Sequence, residues 1–276
     1  DSDISIITSI GIDHVEFLGS TVDSIALEKA GVMRPFCHCI FAQKSPPSSL
    51  LSYAKKNATN FLYNDNDFSL KIFKDSWSWK YKDNKISNLP LLPLTGDFQY
   101  NHAAAALSAL HCLDPNLLND NKNLFMGLKK TTLLGRHQVI SRHPEIILDV
   151  AHNGDAAEQL FKNLSESKRK RTIAVIGILE DKDVYSLVKP MKPLVDEWFC
   201  GTINNQRGMN ADEIKLRISS IIDKRNIHSH QSVLAAYDAA ISSLKKDDRL
   251  IIYGSFYTIS EILRFIKFNK NNVVNL

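Results

Sequence analysis

Four short stretches of this chain carry residue types that could do chemistry. The first pairs Gly11-Ile12-Asp13-His14 with Glu28-Lys29-Ala30-Gly31. A histidine just past a strand end stands where open parallel sheets place their ligand sites. A protonated amine cannot bind a metal ion, so His14 and Lys29 alone make a poor metal site. The plain reading is a solvated loop histidine and a lysine that complements a helix dipole. The second stretch, Gly96-Asp97-Phe98-Gln99-Tyr100-Asn101, opens an alanine-rich helix. Asn101 either caps or begins that helix, or its amide reads the edge of an adenine. The third is Gly135-Arg136, whose guanidinium either holds a phosphate in bidentate fashion or faces solvent. The fourth, Asp149-Val150-Ala151-His152-Asn153, ends one strand and precedes a helix, and Gly254-Ser255-Phe256 repeats that position later. It reads either as an N-cap arrangement or as a ligand site at a topological switch point.

The elements that must position these groups are clearest in the second half. Apolar runs at 145–150, 172–177, 195–200 and 250–254 alternate with helical spacing at 155–164, 183–191, 210–222 and 232–244. A last helix is expected over 258–268. Alternation of this kind predicts βαβ units and a parallel sheet, and near-continuous apolar strands predict helices on both of its faces. The second half therefore reads as a Rossmann-like domain. In the first half, strands are expected at 4–9 and 36–42 and helices at 22–30, 47–56, 100–112 and 119–130. Gly31 is placed to stop the first of those helices. Residues 60–63 and 77–81 read as antiparallel strands with aromatics on one face. Cys37 and Cys39 alternate around His38 and point to one side of a strand. The expected division is 1–131, a linker at 132–140, and 141–276.

Composition narrows the function classes. The chain has 276 residues, 44% hydrophobic and 23% charged, which excludes disordered, collagen-like and coiled-coil chains. No run approaches the roughly 18 to 20 apolar residues of a membrane span. A net charge of +4 does not call for nucleic acid. The basic run Lys168-Arg169-Lys170-Arg171 reads as a solvated helix end. Four cysteines without CxxC or zinc spacing fit a reducing cytoplasm. There is no GxxxxGK[ST], so the sequence holds no P-loop, and no GxGxxG follows a strand, which argues against a nicotinamide-dependent enzyme.

Taken together, the motifs resemble the folylpolyglutamate synthase and dihydrofolate synthase family, within the wider Mur ligases. The matching stretches are ITSIGIDHVEFLG (7–19), SIALEKAGVMRP (24–35), GDFQYNHAAAAL (96–107) and GRHQVI (135–140). LDVAHN (148–153), AVIGILEDKD (174–183) and IIYGSFYT (251–258) complete the set. GILEDKD and GSFYT look most like the bacterial bifunctional enzymes. The resemblance implies an α/β chain, part of a P-loop-type ATPase domain followed by a Rossmann-like glutamate-ligase domain with a mainly parallel sheet. The family's upstream P-loop, pterin loops and magnesium-holding glutamate are not in this sequence, so the expectation is a chain that begins partway through the ATPase domain. Gly154-Asp155 after AHN and Leu134 before Gly135 depart from the family's usual residues.

Carried over position by position, the resemblance makes His14 a Mg2+ ligand and Lys29 a carbamylated lysine. A carbamate answers the objection to an amine, since its oxygens suit a hard cation. Asn101, Arg136 and Asp149 match ATP-binding positions, and His152 and Ser255 match positions that hold the incoming glutamate. The implied reaction joins L-glutamate to dihydropteroate and to folate or folylpolyglutamate through an acyl phosphate, with ATP cleaved to ADP and phosphate. The implied enzyme is a cytoplasmic monomer with small-molecule substrates and neither nucleic-acid nor membrane partners. Two alternatives stand beside it: a non-catalytic remnant, and a related Mur-type ligase acting on another acceptor.

Overall fold

A computed structural model describes residues 1–12, 19–167 and 169–273. The Asp13–His14 pair expected to do chemistry thus lies outside the described residues, as does Lys168. The chain divides into two compact units, Asp1–Thr132 and Leu133–Leu276.

In the first unit, β1 (Ile4–Ile7), β2 (His38–Phe41) and β3 (Asn60–Tyr63) form a parallel sheet in that order. Helices α1 (Val22–Ala30) and α2 (Ser48–Lys56) cover one face, where Cys39 and Phe41 meet Ala26, Ala30, Leu50 and Ala54. Helix α3 (Phe98–Leu113) covers the other, where Ile40 joins Ala104, Ala105 and Leu107. Helix α4 (Asn121–Lys130) follows a 3-10 turn at Pro115–Leu118. An antiparallel sheet of β4 (Phe68–Ile72), β5 (Trp77–Tyr81) and β6 (Asn84–Leu89) packs Trp77, Trp79 and Tyr81 into the α3 cluster.

Two expectations change here. Residues 60–63 do not join the antiparallel sheet. They pair parallel to β2, with Asn60 opposite His38, because Phe61 stacks on Phe41 at 6.3 Å in the α1–α2 core. Gly31 ends α1 in right-handed geometry (φ −57°), so the stop there does not use glycine's left-handed freedom.

In the second unit the sheet order is β11 (Ile227–His230), β10 (Glu197–Gly201), β9 (Thr172–Ile176), β12 (Arg249–Tyr253), β8 (Glu145–Leu148) and β7 (Gln138–Arg142). All pairs are parallel except β7 with β8. Of the expected linker at 132–140, residues 133–140 belong to this unit and 138–140 open β7. Burial explains the continuous apolar strands. Ile147, Ala174, Ile176, Trp198 and Ile251 point to one face and meet α5 (Gly154–Ser165), α6 (Val184–Val188) and α7 (Ala211–Ile218). Leu148, Ile173, Val175, Leu250 and Ile252 point to the other and meet α8 (Val233–Ser243) and α9 (Phe256–Val273). This is the doubly covered, mainly parallel α/β sheet that the strand composition demands. No helix among the described residues is long and apolar enough to cross a membrane.

At the sheet's opposite end, Arg249 is 1% exposed. It donates to the Leu164 carbonyl at 3.0 Å and to the Ser167 carbonyl at 2.8 Å, and it pairs with Glu145. Burial alone pushes the Glu145 carboxyl up, but hydrogen bonds from Arg169 and Arg249 outweigh it and hold the group below its ordinary range. The clamp fixes β12 to β8 and to the end of α5.

Candidate active site

Central to the second unit are three strand-to-helix turns that meet at the carboxyl ends of β8, β9 and β12. Asp149 follows β8, and its carboxylate accepts the His137 N–H and the Ala151 N–H, each at 2.8 Å. Val150 donates its N–H to the Gly135 carbonyl at 2.7 Å. These bonds tie the Gly135-Arg136 segment to the Asp149–Asn153 loop. Gly135 (φ +68°) and His137 (φ +43°) both take left-handed backbone, which the tie requires. Burial pushes the Asp149 carboxyl above its ordinary value; the two N–H bonds and the nearby charges of Arg136 and His152 only partly offset it. Arg136 itself is exposed, so its guanidinium is open to solvent and to ligands.

His152 hydrogen-bonds the Val150 carbonyl through Nδ1 at 2.9 Å. A carbonyl only accepts, so Nδ1 carries the proton and the ring is oriented by its own loop. The Phe256 ring lies 5.8 Å from it, centroid to centroid. Asn153 caps α5 by accepting the Ala156 N–H at 3.0 Å, which is the N-cap arrangement this stretch offered.

Ser255 is 2% exposed, and its hydroxyl lies 2.8 Å from Thr258 Oγ1 while accepting the Thr258 N–H at 3.0 Å. Thr258 Oγ1 in turn donates to the Gly177 carbonyl at 2.8 Å, beyond the end of β9. The serine is therefore committed to fastening the start of α9 to the neighbouring turn. Thr258 and His137 have structural parts in this site that residue type alone did not single out. His137 Nδ1 is buried without a hydrogen bond among the described residues, and burial lowers the pKa of that ring.

In the first unit Lys29 sits in the last turn of α1, partly exposed, as the dipole argument places a cation. Asn101 is the fourth residue of α3 and not its cap. Its Oδ1 accepts from Asn64 Nδ2 at 3.0 Å. Asn64 was invisible to motif reading. Among the described residues no three His, Cys, Asp or Glu side chains group to hold a metal ion. An uncarbamylated Lys29 adds a positive charge, so the described residues alone do not make a divalent-cation site.

Comparison with known proteins places these turns. The family described as "Mur ligase, glutamate ligase domain" matches residues 135–256. The dihydrofolate synthase/folylpolyglutamate synthase of Haemophilus influenzae is 32% identical over 95% of this chain and 63% of its own length. The structure of E. coli FolC in complex with DHPP and ADP superposes with a TM-score of 0.88 at 30% identity, covering 98% of this chain and 63% of that one. That of the Yersinia pestis bifunctional enzyme, complexed with AMPPNP and Mn ion, gives 0.86 at 29% identity, covering 97% and 62%. The chain thus spans about three fifths of the length of these relatives. Over this shared three fifths the chain is a homologue of the bifunctional dihydrofolate synthase/folylpolyglutamate synthases, and its residues 135–256 match the glutamate ligase domain of the Mur ligases.

Proposed function

We propose that this chain is the part of an ATP-dependent ligase that joins L-glutamate to dihydropteroate and to folate or folylpolyglutamate. The observation that carries the reading is the fastening of the Gly135-Arg136, Asp149–Asn153 and Gly254-Ser255 segments into one rim at the carboxyl ends of the parallel strands. That is where α/β sheets bind ligands. Arg136, exposed beside the partly buried Asp149, supplies a cation for phosphate oxygens. Asn101, Arg136 and Asp149 are the proposed nucleotide contacts, and His152 and Ser255 the proposed glutamate positions. Since the Ser255 hydroxyl is engaged by Thr258, its contribution is to shape the α9 turn that faces the amino acid.

In the proposed reaction the acceptor carboxylate attacks the γ-phosphorus of ATP, forming an acyl phosphate and releasing ADP. The glutamate amine then attacks the acyl carbon, losing a proton, and phosphate leaves with the C–O bonding pair. His152, with Nδ1 protonated and oriented by Val150, is placed to orient the amino acid for that attack. The proposed cofactor is Mg2+, held by His14 and by Lys29 as its carbamate; a bound divalent cation would neutralise phosphate charge. The enzyme is proposed to act as a cytoplasmic monomer on small molecules. The test is glutamate incorporation with ATP and dihydropteroate. ADP release and ligation only with an acceptor other than dihydropteroate or folate would support a related Mur-type ligase, and inertness of every form of the chain a non-catalytic remnant.

A further inference from the structure

A pair of amides in the first unit carries one step more. Asn64 follows β3 and is completely buried. Its Nδ2 donates to the Ala42 carbonyl at 3.2 Å, at the end of β2, and to Asn101 Oδ1 at 3.0 Å. Oxygen and nitrogen of an amide are told apart by their partners. Here the backbone decides. The Ala42 carbonyl can only accept, so the atom of Asn64 facing it is the nitrogen, and the same nitrogen then requires the oxygen of Asn101. Two amide orientations are thereby set in series by one fixed carbonyl. Asn101 is left with Nδ2 turned away; it is partly exposed, and that nitrogen makes no hydrogen bond among the described residues.

The arrangement leaves a polar atom unserved. Asn64 Oδ1 is buried with no partner among the described residues. A buried acceptor without a donor weakens a fold, and an apolar side chain would avoid that loss. Its presence calls for a reason other than packing.

We propose that Asn64 is a positioning residue that locks Asn101 as a pure donor, so that the start of α3 recognises a ligand through an acceptor atom. A ring nitrogen of a purine nucleotide is such an acceptor, whereas an exocyclic amine presented to the same spot is repelled. The inference rests on the nucleotide role proposed above for Asn101. Asn64 itself touches no ligand.

The test has two arms. Without nucleotide, side-chain amide resonances of isotope-labelled chain are followed during solvent exchange. The Asn64 amide protons are expected to exchange slowly and those of Asn101 quickly. In Asn64→Asp, whose side chain only accepts, Asn101 must turn over and its protons become protected. Fast exchange at Asn64 in the unsubstituted chain overturns the proposal whatever binds. In the second arm, ATP affinity is measured by calorimetry. Asn101→Ala, Asn64→Asp and Asn64→Leu should each weaken binding by roughly five- to tenfold, about the worth of one hydrogen bond. The double variants should lose no more than Asn101→Ala alone, because both changes remove the same contact. Additive losses would mean that Asn64 acts only through packing, and they overturn the proposal. Weakening by Asn101→Ala but not by either Asn64 variant overturns it too while sparing the role of Asn101. If Asn101→Ala leaves ATP affinity unchanged, or neither the unsubstituted chain nor its upstream-extended version binds ATP, the nucleotide role falls and the proposal with it.

Discussion

Gly254 donates its N–H to the carbonyl of Ala151 at 3.0 Å, so the turn bearing Ser255 hangs from the loop bearing Asp149 and His152. Gly254 has φ +116°, and a Cβ there would lie 2.6 Å from the Gly177 carbonyl oxygen. Gly254→Ala should therefore cost at least about 1–3 kcal/mol from backbone strain. Thermal unfolding reads this loss, and a variant as stable as the parent would show that the turn can relax.

Asp149 makes a pH-dependent prediction. Its carboxyl titrates above the ordinary 3.8, chiefly through burial. The folded state thus holds this proton more tightly than the unfolded one. Stability contributed by the protonated form is present below the unfolded value and is lost as pH rises through the raised folded value. Asp149→Asn removes that dependence. It also turns an NH2 group toward one of the two N–H donors, costing about 1–3 kcal/mol. The parent-minus-variant difference in unfolding free energy, measured from pH 3 upward, should change across that window; a flat difference contradicts the assignment.

Arg249 binds three partners at the other end of the sheet. Arg249→Met removes one side of a buried ion pair and frees two carbonyls, at a cost of about 3–5 kcal/mol. Asp223→Asn, which breaks an exposed pair with Arg225, should leave the denaturation midpoint nearly unchanged. Equal effects of the two substitutions would contradict the assigned role of burial.

In the first unit Trp79 donates its indole N–H to Ser108 Oγ at 3.0 Å in a buried setting. Ser108→Ala leaves that donor unpaired and should cost about 1–3 kcal/mol. Chemical denaturation followed by tryptophan fluorescence checks it.

Much of this was legible in the residues. Runs such as Thr172–Ile176 and Arg249–Tyr253, buried throughout, announce a doubly covered parallel sheet. The turns at Asp149 and Gly254 stand out because polar residues follow directly on apolar strands. What escaped reading depends on partners distant in sequence. Strand β3 joined the parallel sheet because Phe61 met Phe41, and strand β7 arose beside β8 from a stretch that reads as a polar linker. Asn64, in the polar stretch Asn64-Asp65-Asn66-Asp67, looks like any turn residue; only the fold brings it to Ala42 and Asn101. The Ser255 hydroxyl likewise reads as an open ligand group until Thr258 is seen to occupy it.

The most direct test of glutamate ligation uses this chain and a version extended upstream to the length of its relatives, with ATP, glutamate and dihydropteroate. The predicted result is glutamylated product formed in step with ADP by at least one of the two. Substituting Arg136→Ala or His152→Ala should reduce that product by about 100-fold or more, the scale seen when a transition-state charge contact is removed. ADP released without glutamylated product, or full activity retained in both variants, would contradict it.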